Sequence, residues 1–186
     1  MIFIALLQLA AAGPSFDCAR ARTDIERSIC AHAELAALDR EEARIYGIAR
    51  VVPRADRAAL LKRQRDFLEE RNTCPESAAP LEECLRDVYL DDIGELRRVS
   101  ELQDDNEGIS SGPLLFHCDG NAPDVYVTLF GTSPAQAYLA MPGANEGQPL
   151  LVDPADPQRF VGRYATDMVY EADSRRVRYH ARICTP

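Results

Sequence analysis

Apolar and polar positions follow one period in the first part of the chain and another in the last. From Thr23 to Leu102 the apolar residues recur at helical spacing. Thr23-Asp24-Ile25-Glu26 is a capping-box signature, because the Thr hydroxyl and the Glu carboxylate can each satisfy an orphan backbone N–H. It predicts a short helix from there to about Cys30. Leu35, Leu38, Ile45, Ile48, Ala49 and Val52 form one stripe of a second helix, which Pro53 should end. A third places Ala59, Leu60, Phe67 and Leu68 inward and is broken by Asn72, Thr73 and Pro75. The fourth starts near Pro80 and has the clearest period: Leu81, Leu85, Val88, Tyr89, Ile93, Leu96 and Val99.

The stretch Asp104 to Pro113 is polar, contains Gly and Pro, and reads as a linker. Beyond it the period falls to two. Val125, Val127 and Leu129 alternate with Tyr126, Thr128 and Phe130. Further short strands are expected at Tyr138–Met141, Pro149–Val152, Arg159–Thr166, Met168–Ala172 and Val177–Ile183. Turn signals at Asp119-Gly120-Asn121, Pro142-Gly143 and Asp153-Pro154 separate them. The fold class is therefore α+β: a small helical domain over residues 13–104, a linker over 105–113, and a small antiparallel β-barrel or meander over 114–186.

Charge and cysteine content narrow the function. The chain has 186 residues with 30 acids and 21 bases, a formal net charge of -9. An acidic surface disfavours nucleic acid as a partner and suits a basic protein. Residues 1–12, MIFIALLQLAAA, are apolar and uncharged, too short to span a bilayer, and read as a signal peptide with a small-residue cleavage site at Ala10-Ala11-Ala12. Pro14-Ser15-Phe16-Asp17 before Cys18 does not suit a lipid anchor, so no membrane anchor is expected. The six cysteines, Cys18, Cys30, Cys74, Cys84, Cys118 and Cys184, point to a disulfide framework in the periplasm or outside the cell. Six cysteines allow fifteen pairings, and spacing alone does not choose among them. A bond from Cys118 to Cys184 would close nearly the whole β-domain, worth roughly 4 kcal/mol in the chain-entropy model.

Catalysis finds little footing. The sequence has no nucleophile motif, phosphate loop or H-E-x-x-H run. Glu41-Glu42, Glu69-Glu70 and Asp91-Asp92 sit beside arginines and read as surface pairing. His32, His117 and His180 are scattered, so no metal site and no cofactor are expected. The chain is read as a binding protein, not an enzyme.

Two resemblances give that reading a direction. Phe16 to Cys30, Leu35-Ala-Ala-Leu-Asp39, Tyr46, Gln64-Arg-Asp-Phe-Leu68 with Arg71 and Cys74, and Cys84-Leu-Arg-Asp-Val-Tyr89 with Ile93 resemble the LprI-like lysozyme inhibitor domain family over about residues 16–98. The resemblance implies pairs Cys18–Cys30 and Cys74–Cys84 and a periplasmic or cell-surface location. Gln64, Arg65 and Arg71 are read first as a solvated helix face and second as groups shaping a polar contact. Over about residues 114–185, Phe116-His-Cys118-Asp-Gly, the strand Val125–Leu129, Gly162-Arg163-Tyr164 and Cys184 are similar to the membrane-bound inhibitor of c-type lysozyme. That family is a small antiparallel β-barrel with one bond between its first and last strands.

This second resemblance implies a binding loop at Gly162, Arg163 and Tyr164, with c-type lysozyme or another basic envelope protein as partner. In the family a serine precedes this loop and a lysine follows in a Trp-x-Lys segment. Here Arg159, Phe160 and Val161 stand where the serine would be, and the later segment reads Val169-Tyr-Glu-Ala-Asp173. Arg163 could grip a carboxylate through two parallel hydrogen bonds. Arg175, Arg176, Arg178 and Arg182 are further cations, with Arg176, Arg178 and Arg182 expected on one strand face. Tyr164 and Tyr170 are read first as barrel wall and second as binding residues. The function expected is a periplasmic or secreted protein of the lysozyme-inhibitor type that acts by occlusion. The alternative is a non-inhibitory envelope module binding protein or glycan.

Overall fold

The computed structural model of the chain describes residues 13–52, 56–120, 122–141 and 147–186. Residues 1–12, read above as a signal peptide, the expected break at Pro53 and the expected turn residues Asn121, Pro142 and Gly143 lie outside them. Four helices are followed by eight antiparallel strands. Helix α1 spans Asp24–Ala31, and both halves of its capping box form: Thr23 Oγ1 accepts from the Glu26 N–H at 3.1 Å, and Glu26 Oε2 accepts from the Thr23 N–H at 3.0 Å. Helix α2 spans Ala33–Ala49, α3 Arg57–Thr73 and α4 Leu81–Val99. Asp56 caps α3 by accepting from the N–H groups of Ala58 and Ala59. The bonds Cys18–Cys30 and Cys74–Cys84 tie the segments before α1 and after α3 to the bundle.

The apolar stripes of α1, α2 and α4 meet as expected, with Ile29, Leu38, Ile45, Leu85, Tyr89, Ile93 and Leu96 buried together. Helix α3 departs from expectation. It buries only Leu60 and Phe67, seven positions apart on a narrow seam, so Ala59 and Leu68 face solvent. Val99 also faces out, lining a groove of about 500 Å³ with Val52, Ala59 and Leu60. The acidic pairs need a larger correction. Glu69 and Glu70 are exposed, but Glu41, Glu42 and Asp92 are buried. Each is drawn inward by a partner from another element: Ser110 donates to Glu41, Gln64 to Glu42, and Arg63 Nε stands 2.9 Å from Asp92.

The polar segment after α4 is pinned. Arg97 is fully buried and donates to the carbonyls of Leu102 and Gly112, to Ser110 Oγ and to Asp105. Arg44 adds two bonds to the Asp105 carboxylate at 2.8 and 3.0 Å. The first strand, β1, begins at Ser110, inside the stretch read as a linker, and runs to Cys118.

The later strands are β2 (Val125–Phe130), β3 (Gln136–Ala140), β4 (Gln148–Asp153), β5 (Asp156–Gly162), β6 (Val169–Glu171), β7 (Arg176–Tyr179) and β8 (Arg182–Thr185). Each pairs with the next, and β8 pairs back to β1, so the sheet is a closed barrel. The Cys118–Cys184 bond lies on the closing seam, where those two residues are cross-strand partners. Two strand expectations change. Arg159–Thr166 stops at Gly162 and turns. Val177–Ile183 divides into a hairpin around His180, whose positive φ of 52° reverses the chain.

Inside the barrel lie Phe116, Val127, Leu139, Leu150, Phe160, Tyr170 and Val177. Tyr170 is thus barrel core, its ring 5.7 Å from Phe116 and 5.9 Å from Phe160. The outward residues of β2 and β3 are largely covered by the helices, Tyr126 only in part. Phe130, Tyr138 and Ala140 join the helical core, which is why β3 is buried on both faces. Gly94 of α4 makes this approach possible, since a Cβ there would stand 2.3 Å from the Tyr138 ring. Tyr138 donates its hydroxyl to Asp91 across the same contact.

Candidate functional site

Strand β5 ends at Gly162, and residues 163–168 form a tight turn before β6. Gly162 has no room for a side chain: a Cβ would stand 2.3 Å from the Ala165 carbonyl and 2.8 Å from Gln148 Nε2. The turn closes on itself through the Gly162 N–H to Met168 O at 2.8 Å and the Met168 N–H to Ala165 O at 3.0 Å. Gln148, buried at the start of β4, accepts from the N–H groups of Tyr164 and Ala165 at 3.0 and 3.1 Å. The Arg163 N–H donates to Pro149 O at 3.0 Å. Barrel groups alone therefore set the loop's backbone. No sequence motif marks Gln148; its signal is the glycine it packs against.

The side chains reach in another direction. Glu83 and Asp87 are one turn apart on α4 and both meet the guanidinium of Arg163. Arg163 Nε is 3.0 Å from Asp87 Oδ2, and Nη2 donates to Glu83. The Tyr164 hydroxyl donates to the same Asp87 oxygen, and the guanidinium lies 5.8 Å from the Tyr164 ring centre. Tyr164 is 70% exposed, whereas the Arg163 side chain is 17% exposed.

Burial pushes the Asp87 carboxyl above its ordinary range, although Tyr164 and Arg163 oppose the shift. For Arg163, burial works against the charge, but Asp87 and Glu83 outweigh it and raise its pKa. The loop therefore presents an ionised guanidinium and a phenol side by side. Both are hydrogen-bond donors suited to carboxylates.

The other cations do not join this pair. Arg176 and Arg178 point outward from β7, and Arg178 pairs with Glu171 at 2.9 Å. Arg182 is not on their face. The register sets Val177 opposite Cys184 as buried partners, which sends Ile183 out with Arg178 and leaves Arg182 beside Tyr179. Arg175 lies in the turn before β7 with φ 49°.

His180 reaches Asp167 of the loop at 2.6 Å, while His117 pairs with Asp124 at 3.0 Å. Among the described residues no group of three or more His, Cys, Asp or Glu side chains is arranged to hold a metal ion. In the bundle, Arg65 faces solvent, but Gln64 and Arg71 turn inward. Gln64 bonds Glu42, and Arg71 lies 3.4 Å from the Tyr89 hydroxyl, which donates to Asp39 at 2.7 Å. These two shape a buried polar contact.

Comparison with family models, with curated proteins and with solved structures finds no match in any of the three. The family likenesses accordingly rest on the residues quoted for them. Three disulfides fit an oxidising, non-cytoplasmic compartment. Among the described residues no helix is long and apolar enough to cross a membrane.

Proposed function

We propose that this chain is an exported binding protein of the lysozyme-inhibitor type, with the Gly162–Arg163–Tyr164 turn as its contact element. The single observation that carries the reading is the donor pair itself. Arg163 and Tyr164 stand together on a turn whose backbone the barrel fixes through Gln148 and Pro149. A preorganised loop loses little freedom on binding, which favours affinity. Glycosidases of the lysozyme kind work with two carboxyl groups flanking the scissile bond. A guanidinium and a phenol directed at such a pair would occupy the cleft without any chemistry. The net charge of -9 would also speed encounter with a strongly basic enzyme.

Residues 1–12 are the export signal in this reading, and the periplasm or the cell exterior is the destination. The test is a lysis assay with the purified mature protein. Inhibition at micromolar protein that weakens with Arg163→Ala agrees with the proposal, and unimpeded lysis at that concentration removes it.

A second reading is favoured by one specific observation: Arg163 already has two carboxylate partners within the chain. The protein would then be an envelope module that binds another protein or a glycan through Tyr164 and does not inhibit lysozyme. A pull-down from envelope extract, with and without added lysozyme, separates the two.

A further inference from the structure

The loop's recognition groups already have an occupant in the folded chain. Arg163 uses its Nε and Nη2 on Asp87 and Glu83, the edge of a guanidinium that grips a carboxylate bidentately. Tyr164 spends its only hydroxyl proton on Asp87. A partner's carboxylate approaching the same edge would find it filled.

We infer that Glu83 and Asp87 are an internal stand-in for the partner: the loop recognises paired carboxylates, and α4 supplies a pair that holds it until a partner's own pair displaces them. The inference rests on the reading of this loop as the contact element. It adds a second element, α4, that governs access to the loop by offering it the same chemistry as the partner's site.

Three features suit the contact to release. First, the loop's backbone bonds run to Gln148 and Pro149 of β4 and within the turn itself, and none to α4, so the two side chains can swing away without unfolding the turn. Second, the Glu83 side chain is 42% exposed, so the Arg163–Glu83 half of the clamp is a solvent-screened ion pair of small net strength. Third, Asp87 is poorly served while clamped: its side chain is 12% exposed and its Oδ1 is buried without a hydrogen-bond partner. Withdrawal of Arg163 and Tyr164 would uncover Asp87 to water, which offsets part of the loss. A contact held this way is specific in geometry and cheap to exchange.

The double variant Glu83→Gln with Asp87→Asn keeps the shape of α4 and removes the competing charge. If about one molecule in ten has a free loop, freeing all of them should lower the half-inhibitory concentration against c-type lysozyme roughly tenfold. Adding Arg163→Ala to the double variant should abolish the gain. Glu83→Gln alone, at an exposed site, should give a smaller gain in the same direction and guards against loss of folding in the double variant. The Arg163 Nε–H nuclear magnetic resonance signal should exchange faster with water in each variant. Unchanged or weaker inhibition by both variants, beside an active parent protein, overturns the inference and leaves the proposed function standing. Absence of inhibition by parent and variants alike overturns the proposed function and the inference with it.

Discussion

The barrel and the helical unit are built on opposite policies toward charge. The barrel fills its interior with Phe116, Val127, Leu139, Leu150, Phe160, Tyr170 and Val177, and its arginines on β7 and β8 are exposed to solvent. The helical unit buries Asp39, Glu41, Glu42, Asp92 and Arg97 among its apolar contacts. The barrel gains its stability from apolar closure and one bond across the seam. In the helical unit several buried groups depend on a named partner, and some of those partners lie beyond the helices, as Ser110 does for Glu41 and Gly112 for Arg97. The helical unit's polar interior is thus completed by the start of the barrel, and a substitution there should be felt in both parts.

The largest effect should come from Arg97. Arg97→Met removes a fully buried guanidinium and its bonds to the Gly112 carbonyl, Ser110 Oγ and Asp105. A loss of roughly 3–5 kcal/mol is expected, the range for breaking a buried charged network, with Asp105 still held by Arg44. Urea unfolding followed by circular dichroism measures it. A loss under about 1 kcal/mol would mean that the segment after α4 is held by other contacts.

Next comes the seam. Replacing Cys118 and Cys184 with alanine frees a span of 66 residues and should cost roughly 3–4 kcal/mol. The matching change at Cys18 and Cys30, a span of 12, should cost less, by about 1.5 kcal/mol. Equal losses would break the contrast between a barrel that relies on its long-range bond and a bundle tacked by short ones.

The smallest effect is a pH dependence confined to the helical unit. Burial, with Asp39 nearby, raises the Glu42 carboxyl to about 7; burial, with Glu42 and Asp91 nearby, raises Asp92 to about 7. Both values lie above those of an unfolded chain, so the folded state binds more protons between about pH 4 and 7. This contribution to stability is complete below about pH 4 and is lost as pH rises through 7. Glu42→Gln should therefore stabilise the protein by about 2 kcal/mol at pH 8 and have little effect at pH 4. Thermal melts of both proteins at the two pH values test it, and an equal shift at both would remove the carboxyl pair as the cause.

The same contrast explains what the sequence made legible. Period two at Val125, Val127 and Leu129 reports a face turned to an apolar interior, and the structure buries it there. The stripe on α4 works the same way from Leu81 to Leu96. Glu41 reads as surface because local spacing shows Arg44 three residues on, and Glu42 and Asp92 because each stands in an acidic doublet; neither pattern shows the Ser110, Gln64 or Arg63 that draws the acid inward. Leu68 read as core because a helical period does not reveal how narrow the contact seam of α3 is.

Gly162, Arg163 and Tyr164 stand out through the family resemblance, within a stretch whose own period reads as strand from Arg159 to Thr166; the structure ends that strand at Gly162 and sets Arg163 and Tyr164 on the turn. Glu83 and Asp87 lie 80 and 76 positions away, and no spacing rule connects them to Arg163. Asp119-Gly120 was visible as a turn by composition alone, whereas the reversal at His180 rests on a positive φ that no glycine announces.

Titration calorimetry of the mature protein against c-type lysozyme tests the central claim most directly. The account predicts a saturable one-to-one association that Arg163→Ala weakens and that Glu83→Gln with Asp87→Asn strengthens. No heat of binding at micromolar concentrations, or an Arg163→Ala variant that binds as tightly as the parent, would contradict it.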